Sequence, residues 1–289
     1  MRILQYTLGL DIGTSAVKAL LMDQNGGIAA ENSESYPLFT PNPGWAEQNP
    51  EDWWQASQKV IKNLIAENEI EAAEIKAVSF SGQMHSSVFL DQKMEVIRPA
   101  ILWSDTRTSK ECREIEKRVG GIKELAKLVS NPALEGFTAA KILWLRNNEP
   151  ENYKKVKKVL LPKDYIRYKL TGELGMDLSD AAGTLLCDVK AEDWSAEIME
   201  LLEIEPEIMP PVLRSVDVVG PVTSAAAEKT GLSTKTQVVA GGADNACGAV
   251  GSGIIKAGRV MASLGSSGVV VAQTDKPEAD PEGRVHLFN

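Results

Sequence analysis

An aspartate at the end of an apolar run near the N-terminus is followed by small residues that could bind phosphate. The order is Asp11, Gly13, Thr14 and Ser15, with Lys18 a little further along the chain. The glycine lets the backbone approach a ligand closely, and the next two residues offer hydroxyl and amide groups to phosphate oxygens. A carboxylate beside such a cradle is where Mg²⁺ would be held. A hairpin turn with a capping aspartate would give the same pattern, so both interpretations stay open.

A second aspartate also follows a short apolar segment and a glycine pair. Asp244 comes directly after Gly241, Gly242 and Ala243 and is followed by Asn245. A carboxylate at the end of a strand faces the crevice in which α/β proteins bind ligands, and there it could act as a base. The alternative is an aspartate that caps the start of a tightly packed helix.

A third stretch of small residues lies between two apolar segments that are predicted to be strands. It consists of Gly265, Ser266, Ser267 and Gly268. Its backbone N–H groups could wrap around a terminal phosphate. The same four residues could equally form a plain hairpin turn, and nothing within the loop decides between the two.

Two further strand ends carry side chains that suit a sugar. Met84 and His85 follow one predicted strand, and Trp103 and Asp105 end another. An indole ring can stack on a sugar face, and a carboxylate can accept hydrogen bonds from hydroxyl groups. A lone histidine is more often structural than functional, and the tryptophan could equally fill the core, so packing is the alternative for both.

The composition argues against several classes of function. The 289 residues include 31 Lys plus Arg and 40 Asp plus Glu, giving a formal charge of −9. Such a protein repels nucleic acids and anionic membranes, so we expect neither as a partner. Three widely spaced cysteines indicate a reducing, cytoplasmic compartment and no metal site. With two histidines, and without GxxxxGK[ST], GxGxxG or GxSxG motifs, a P-loop, a Rossmann site or a hydrolase triad is not expected.

The apolar periodicity predicts an α/β protein in which three strands precede the first helix. A Rossmann domain would instead place a helix directly after its first strand. Asn25 and Gly26 predict a type I′ turn between the second and third strands, and Asn49 is predicted to cap the helix. Strands are predicted at 6–10, 16–22, 28–36, 75–80, 88–90, 101–103, 237–240, 260–264, 269–272 and 285–288. The first helix is predicted to bury Trp53, Ala56, Val60 and Leu64, and 108–170 is predicted to be mainly helical.

Taken together and in order, these segments resemble the conserved blocks of the FGGY carbohydrate kinases, which have the actin/Hsp70/RNase H-like fold. The matching blocks run from Leu8 to Gly268. An ordered set of this kind is far more specific than any one block. The blocks are LGLDIGTSAVKALL, GWAEQNPEDWW, SGQMHSSVFLD, RPAILWSDTR, GFTAAKILWL, LLPKDYIRYKLTGE, DLSDAAGTLL, GGADNACGAVGSG and SLGSSG.

The resemblance implies how ATP and metal would be bound. Asp11 would be the Mg²⁺-associated aspartate of the first phosphate loop, which residues 13–15 would line. The loop at 265–268 would be the second phosphate loop and would touch the terminal phosphates of ATP. The implied cofactors are therefore ATP and Mg²⁺.

The resemblance also implies the sugar and the base. Met84 and His85 would contact the sugar, Asp244 would accept a proton from its terminal hydroxyl, and Asn245 would lie beside them. The implied reaction converts D-xylulose and MgATP into D-xylulose 5-phosphate and ADP. Ser86 departs from the usual glycine after Met-His and resembles a gluconate kinase branch. A kinase for another ketose, polyol or sugar acid, or a non-catalytic sugar-binding remnant, is therefore the alternative.

The resemblance further implies a division into two domains. Residues 1–245 would form the N-terminal sugar-binding domain, and 246–289 would be the start of a truncated nucleotide-binding domain. Family members carry the adenosine pocket in that second domain. We therefore expect the chain by itself to be poorly active, and its partner to be a second copy in a homodimer or the missing C-terminal half.

Overall fold

The computed structural model describes residues 5–264 and 268–289, and it confirms a mixed α/β fold. The strands are β1 (Tyr6–Ile12), β2 (Ala16–Asp23), β3 (Ile28–Ser35), β4 (Glu47–Gln48), β5 (Ile75–Gly82), β6 (Val88–Leu90), β7 (Ala100–Ile101), β8 (Lys158–Leu160), β9 (Met176–Asp177), β10 (Cys187–Asp188), β11 (Asp193–Trp194), β12 (Val212–Leu213), β13 (Val218–Pro221), β14 (Gln237–Val239), β15 (Gly242–Ala243), β16 (Val260–Leu264) and β17 (Gly268–Ala272). The helices are α1 (Pro50–Glu67), α2 (Ser109–Val119), α3 (Ile122–Val129), α4 (Thr138–Asn148), α5 (Pro150–Tyr153), α6 (Pro162–Thr171), α7 (Leu178–Ala182), α8 (Ala196–Leu202), α9 (Ser224–Thr230) and α10 (Asp244–Gly251).

A seven-stranded mixed sheet organises the fold. Its order is β13-β14-β5-β1-β2-β3, and β15 also pairs with β5. Strands β1, β2 and β3 form an antiparallel meander, whereas β1, β14 and β15 each run parallel to β5. The carboxyl ends of β1, β5 and β15 therefore meet at one edge of the sheet, where open α/β sheets bind ligands.

The hairpin between β2 and β3 forms where it is predicted, but its turn is not type I′. Only Gly26 has a positive φ, of 84°, whereas a type I′ turn needs two such residues. The Asp23 Oδ1 atom accepts hydrogen bonds from the backbone N–H groups of Asn25 at 2.7 Å and Gly27 at 2.9 Å. This carboxylate satisfies the turn's donors and favours a longer loop that ends in one left-handed glycine.

Helix α1 covers one face of the sheet as its sequence predicts. The Asn49 side chain accepts a hydrogen bond from the Glu51 backbone N–H at 3.1 Å and caps the helix. The predicted stripe is buried in the main core together with apolar residues of β1, β2 and β5. A second core lies among α2, α3, α4 and α8. Among the helices of the described ranges, none is long and apolar enough to cross a bilayer.

Two predicted strands differ in the structure. The strand predicted at 101–103 ends at Ile101, so Trp103 lies in the following turn. Residues 285–288 form no strand. Instead the Asn131 side chain donates to the Leu287 carbonyl at 2.8 Å and accepts from the Leu287 N–H at 2.9 Å. A single buried amide therefore takes the place of the neighbouring strand that this segment would need.

Candidate active site

Three parallel strand ends bring the two predicted aspartates to the same edge of the sheet. Asp11 of β1 and Gly242 of β15 are both in register with Ser81 of β5. The chain then continues into the loop at 13–15 after β1, and into α10, which begins with Asp244, after β15. Segments that are more than two hundred residues apart in sequence therefore end side by side.

The loop at 13–15 is fixed by side chains from three other segments. The Gln83 Nε2 atom donates to the Gly13 carbonyl at 3.2 Å, and the Tyr36 hydroxyl donates to the same oxygen. The Gln48 Nε2 atom donates to the Thr14 carbonyl at 2.7 Å. With its carbonyls held in this way, the loop is preorganised for a ligand rather than left to adapt.

The outer part of this loop stays open to solvent. Ser15 and Lys18 are exposed, and Asp11 is half-buried. Lys18 lies opposite Asp11 in the antiparallel register of β1 and β2. Paired residues on neighbouring strands point to the same face of a sheet, so a cation stands beside the carboxylate predicted to hold metal.

The loop after β5 holds His85 in a strained backbone conformation. Its φ is 65°, a left-handed value that non-glycine residues adopt only where their surroundings impose it. The His85 carbonyl accepts hydrogen bonds from the Thr138 Oγ1 and Lys141 Nζ atoms, each at 3.1 Å. Both donors come from α4, so the GFTAAK block supplies the clamp for this turn.

The contacts of the His85 ring define its protonation. Its Nδ1 atom lies 2.6 Å from the Gly183 carbonyl oxygen, and a carbonyl can only accept, so Nδ1 carries the proton. Burial, together with the charge of Lys141, lowers the pKa of His85 to about 3. The ring is therefore neutral at physiological pH, and its Nε2 atom is a hydrogen-bond acceptor.

Asp244, the predicted base, begins α10. Its side chain keeps access to solvent, yet burial by the surrounding protein and the nearby charge of Asp11 raise its pKa to about 6. Its Oδ1 atom accepts the Asn245 N–H at 2.7 Å, and the Asn245 Nδ2 atom lies 3.6 Å from the Met84 Sδ atom. The predicted base and the predicted sugar residues thus lie in one place.

The two residues of the LWSD segment have different surroundings. The Trp103 indole is partly exposed, and its Nε1 atom donates to the Thr14 Oγ1 atom at 2.9 Å. Asp105 is fully buried and accepts hydrogen bonds from the backbone N–H groups of Ala46, at 2.6 Å, and Arg107, at 2.9 Å. The Arg107 guanidinium forms two more. These contacts occupy both carboxylate oxygens and argue against the predicted sugar contact of Asp105.

Part of the predicted second phosphate loop lies outside the described residues. The prediction for Gly265, Ser266 and Ser267 therefore stays a prediction. Gly268 begins β17, where it pairs with Leu264, and both of these residues are exposed.

Several side chains that shape this edge received no individual role from the sequence. Gln48, Gln83, Lys141, Lys163 and Ser179 all lie inside or beside the blocks that carry the resemblance. Their partners come from distant parts of the chain, so the spacing of residues could not reveal their contacts. The one available signal was the presence of polar residues within otherwise apolar blocks.

Known proteins match this chain along nearly its whole length. The N-terminal domain of the FGGY family of carbohydrate kinases matches residues 6–251. The xylulose kinase of Bacillus subtilis (strain 168) is 46% identical over 286 residues, which are 99% of this chain and 57% of that protein. The gluconokinase of the same organism is 30% identical over 283 residues, which are 98% of this chain and 55% of that protein.

A solved structure gives the same picture. Ligand-bound xylulose kinase from Lactobacillus acidophilus superposes with a TM-score of 0.93 at 29% identity, covering 99% of this chain and 57% of that one. The chain thus spans a little over half the length of these relatives. Because the family's N-terminal domain covers most of the sequence, and the fold and the order of its blocks agree with it, the chain belongs to the FGGY family of carbohydrate kinases and corresponds to their N-terminal portion.

Proposed function

We propose that this chain is the sugar-binding part of a kinase that transfers the γ-phosphoryl group of ATP to O5 of D-xylulose. The observation that carries the proposal is that Asp11 and Asp244 lie at the ends of the two strands that flank β5, where burial and the charge of Asp11 raise the pKa of Asp244 to about 6. A base with a pKa near the working pH is well suited to proton transfer. The similarity to xylulose kinases over nearly all of the chain supports D-xylulose as the substrate.

In this reaction Asp244 accepts the proton from the sugar O5 hydroxyl as the bond from O5 to the γ-phosphorus forms. The bond from that phosphorus to the bridging oxygen breaks, ADP leaves, and Asp244 later releases the proton to solvent. General-base assistance of this kind is worth about 10² to 10⁴ in rate. The remaining contribution is alignment of the reacting groups, which the fixed loop at 13–15 would provide.

His85 would orient the sugar as a neutral hydrogen-bond acceptor. Its neutral ring presents Nε2 as an acceptor for a sugar hydroxyl, while the Trp103 indole offers a partly exposed apolar face. Met84 and Asn245, in mutual contact, would line the side next to the base. Together these groups suit a neutral polyhydroxy compound.

The residues at the end of β1 fit a magnesium ion bound through phosphate. Mg²⁺ is usually held by one or two carboxylates together with substrate phosphates and water, and Asp11 supplies one half-buried carboxylate beside the proposed phosphate loop. Within residues 5–264 and 268–289, no group of three or more His, Cys, Asp or Glu side chains is arranged so that it could hold a metal ion. When bound with ATP, the ion would neutralise charge on the transferring phosphoryl group.

Residues 246–289 would open the second, nucleotide-binding domain. The hairpin of β16 and β17 exposes Val260, Leu264 and Val270, and exposed apolar surface of this kind is usually covered by a partner. We propose that further chain, or a second copy, covers the hairpin and completes the ATP site. The 289 residues alone would then bind sugar weakly and would show little phosphoryl transfer.

A sugar acid such as D-gluconate is the second candidate substrate. Ser86 and the 30% identity to a gluconokinase favour it. D-xylulose is neutral and D-gluconate carries a negative charge, so one pocket should prefer one of them. Calorimetric titration of the 289-residue chain with each compound measures that preference. Binding of D-xylulose alone would support the proposal. Tighter binding of D-gluconate would make D-gluconate the substrate instead. If neither compound binds, the sugar-binding role is contradicted.

The base is tested by Asp244→Asn, with Asp275→Asn in an exposed segment as the matched control. In a kinase with both halves present, we expect phosphorylation measured by ADP release to fall by about 10² to 10⁴, with D-xylulose affinity largely retained. The activity of the unsubstituted kinase should fall below pH 6, as Asp244 becomes protonated. Turnover of Asp244→Asn close to that of the control would show that Asp244 is not the base.

A further inference from the structure

A fully buried cluster of five charged side chains lies behind the site and takes no part in the proposed chemistry. The Lys163 Nζ atom is 2.8 Å from Asp164 Oδ1, 2.5 Å from Asp177 Oδ1 and 2.9 Å from Asp180 Oδ2. The fifth member, Arg167, places Nη1 2.9 Å from Asp164 Oδ1. All five side chains are inaccessible to solvent.

Such a cluster is costly to bury and therefore needs an explanation. Two cations and three ionised carboxylates would leave one uncompensated negative charge in the interior. Burial, reinforced by the charges of Asp177 and Asp164, raises the pKa of Asp180 well above its usual range. Protonation of Asp180 would make the cluster neutral and would lower the cost of burying it.

The cluster is hydrogen-bonded to the turn that precedes Asp244. The Ser179 Oγ atom donates to Asp177 Oδ2 and accepts the Ala243 backbone N–H at 2.9 Å. The Arg167 Nη1 atom donates to the Ala240 carbonyl at 3.0 Å. Backbone groups on both sides of the glycine pair at 241–242 are thus attached to buried side chains.

A second branch reaches the first glycine of the pair. The Ser215 Oγ atom donates to Asp177 Oδ2 at 3.1 Å, and its carbonyl accepts the Gly241 N–H at 3.0 Å. Gly241 has a φ of 81°, and a Cβ atom there would lie 2.4 Å from the Phe80 carbonyl oxygen. The turn is thus packed tightly against β5 in a left-handed conformation, and the hydrogen bonds from the cluster hold it there.

We propose that Ser179, Asp177 and Lys163 are positioning residues that hold the turn at 240–243 and thereby aim Asp244 at the reacting hydroxyl. Lys163 orients the Asp177 carboxylate, Asp177 orients the Ser179 hydroxyl, and Ser179 fixes the Ala243 N–H, directly before Asp244. The expected effect on catalysis rests on the proposed role of Asp244 as the base. The hydrogen bonds that attach the turn to the cluster do not depend on that role.

Ser179→Ala removes this attachment with the smallest change in volume. The matched control is Ser57→Ala, because Ser57 is equally buried, lies on α1 and bonds only to a carbonyl of its own helix. We expect Ser179→Ala to speed hydrogen exchange of the Ala243 amide by at least about tenfold in the 289-residue chain, because the amide loses its acceptor. Ser57→Ala should leave that amide unchanged.

In a kinase with both halves present, Ser179→Ala should lower kcat by about 10- to 100-fold, as expected for a misplaced catalytic group. The KM for D-xylulose should stay within about twofold. Ser179→Thr keeps the hydroxyl and should restore kcat, and Ser57→Ala should leave kcat and KM unchanged.

Ser215→Ala serves as a milder variant if Ser179→Ala does not fold, and it should slow kcat by about two- to fivefold with KM unchanged. Unchanged Ala243 exchange in Ser179→Ala would overturn the attachment of the turn. Equal losses of kcat in Ser179→Ala and Ser57→Ala, or failure of Ser179→Thr to restore it, would overturn the positioning role. Full turnover by Asp244→Asn would instead show that Asp244 is not the base, and it would leave the hydrogen-exchange result for the Ala243 amide unaffected.

Discussion

Lys163 and Lys141 are both fully buried lysines that support a turn of the site, yet their surroundings are opposite. Lys163 contacts three carboxylates, and these overcome the effect of burial and raise its pKa above the usual range. Lys141 donates to two backbone carbonyls, those of His85 and Gly136. Burial then dominates, and it lowers the pKa of Lys141 to about 7.

The difference shows that partners, not burial alone, decide the charge of an interior lysine. A charged Lys163 holds the Asp244 side of the site through ion pairs. An amine that is largely neutral above pH 7 still has two N–H donors, which match the two carbonyls that Lys141 contacts. The hydrogen bonds that hold the His85 turn therefore change in strength with pH near 7. The support of the Asp244 turn does not change there, because Lys163 stays charged.

The largest effect is expected from Lys163→Met. This change leaves buried carboxylates without their central cation, and removal of one partner from a buried ion pair costs about 3–5 kcal/mol. Urea unfolding of the 289-residue chain measures the loss. Lys169→Met on the same helix is the control, because Lys169 pairs with the partly exposed Glu51 and should lose no more than about 1 kcal/mol. Equal losses in both variants would mean that the ion pairs of Lys163 contribute little.

A smaller and pH-dependent effect is expected at Lys141. Between pH 7 and 10.5 the unfolded chain keeps a proton on this lysine that the folded chain has released. The free energy of unfolding should therefore rise with pH through this group, by up to about 1.4 kcal/mol per pH unit. The cost of burying Lys141 is present in full below pH 7 and disappears towards pH 10.5.

Urea unfolding of the original chain and of Lys141→Met at pH 7.5, 8.5 and 9.5 tests this prediction. The difference between the two should change by about 2–3 kcal/mol across that range, with the original chain gaining stability relative to the variant. A difference independent of pH would show that Lys141 is charged in the folded chain, and Lys141 and Lys163 would then be alike.

The smallest effect is expected on sugar binding at the turn that Lys141 supports. His85→Ala removes one buried hydrogen-bond acceptor, so D-xylulose affinity measured by calorimetry should weaken by about ten- to a hundredfold. His85→Asn should lose less, because asparagine tolerates a positive φ and keeps a side-chain acceptor. The His85 ring stays neutral from pH 5 to 8, so a change of affinity with pH in that range should come from Asp244 or Lys141, whose pKa values are about 6 and about 7.

His286→Ala is the control for the ring itself, because His286 and His85 both pack against Phe137. Its affinity for D-xylulose should stay close to that of the original chain. Equal weakening in both variants would assign the effect to aromatic packing, and a thermal shift without loss of affinity would make His85 structural.

Much of the scaffold was predictable from local sequence. Apolar runs predicted β1 and β2, the Asn25-Gly26 turn signal placed β3 after them, and Asn49, Pro50 and the apolar stripe placed α1. These elements form because each depends on contacts of fixed, short sequence spacing. The ordered blocks likewise identified the family and placed both aspartates at strand ends.

What only the tertiary structure decided concerns groups whose partners lie far along the chain. Lys163 and Arg167 lie on a helix whose sequence would suit a solvated face, yet both are buried, with Asp164 of the same helix and two carboxylates from β9 and α7. Both carboxylate oxygens of Asp105 already accept hydrogen bonds from neighbouring residues. Residues 285–288 are held by the Asn131 side chain instead of by a neighbouring strand. Burial and long-range charge also set the pKa values of Asp244 and His85, because desolvation depends on every atom packed around a group. The sequence by itself determined the elements and the kinds of residue at the site, and the packing determined their charge, orientation and support.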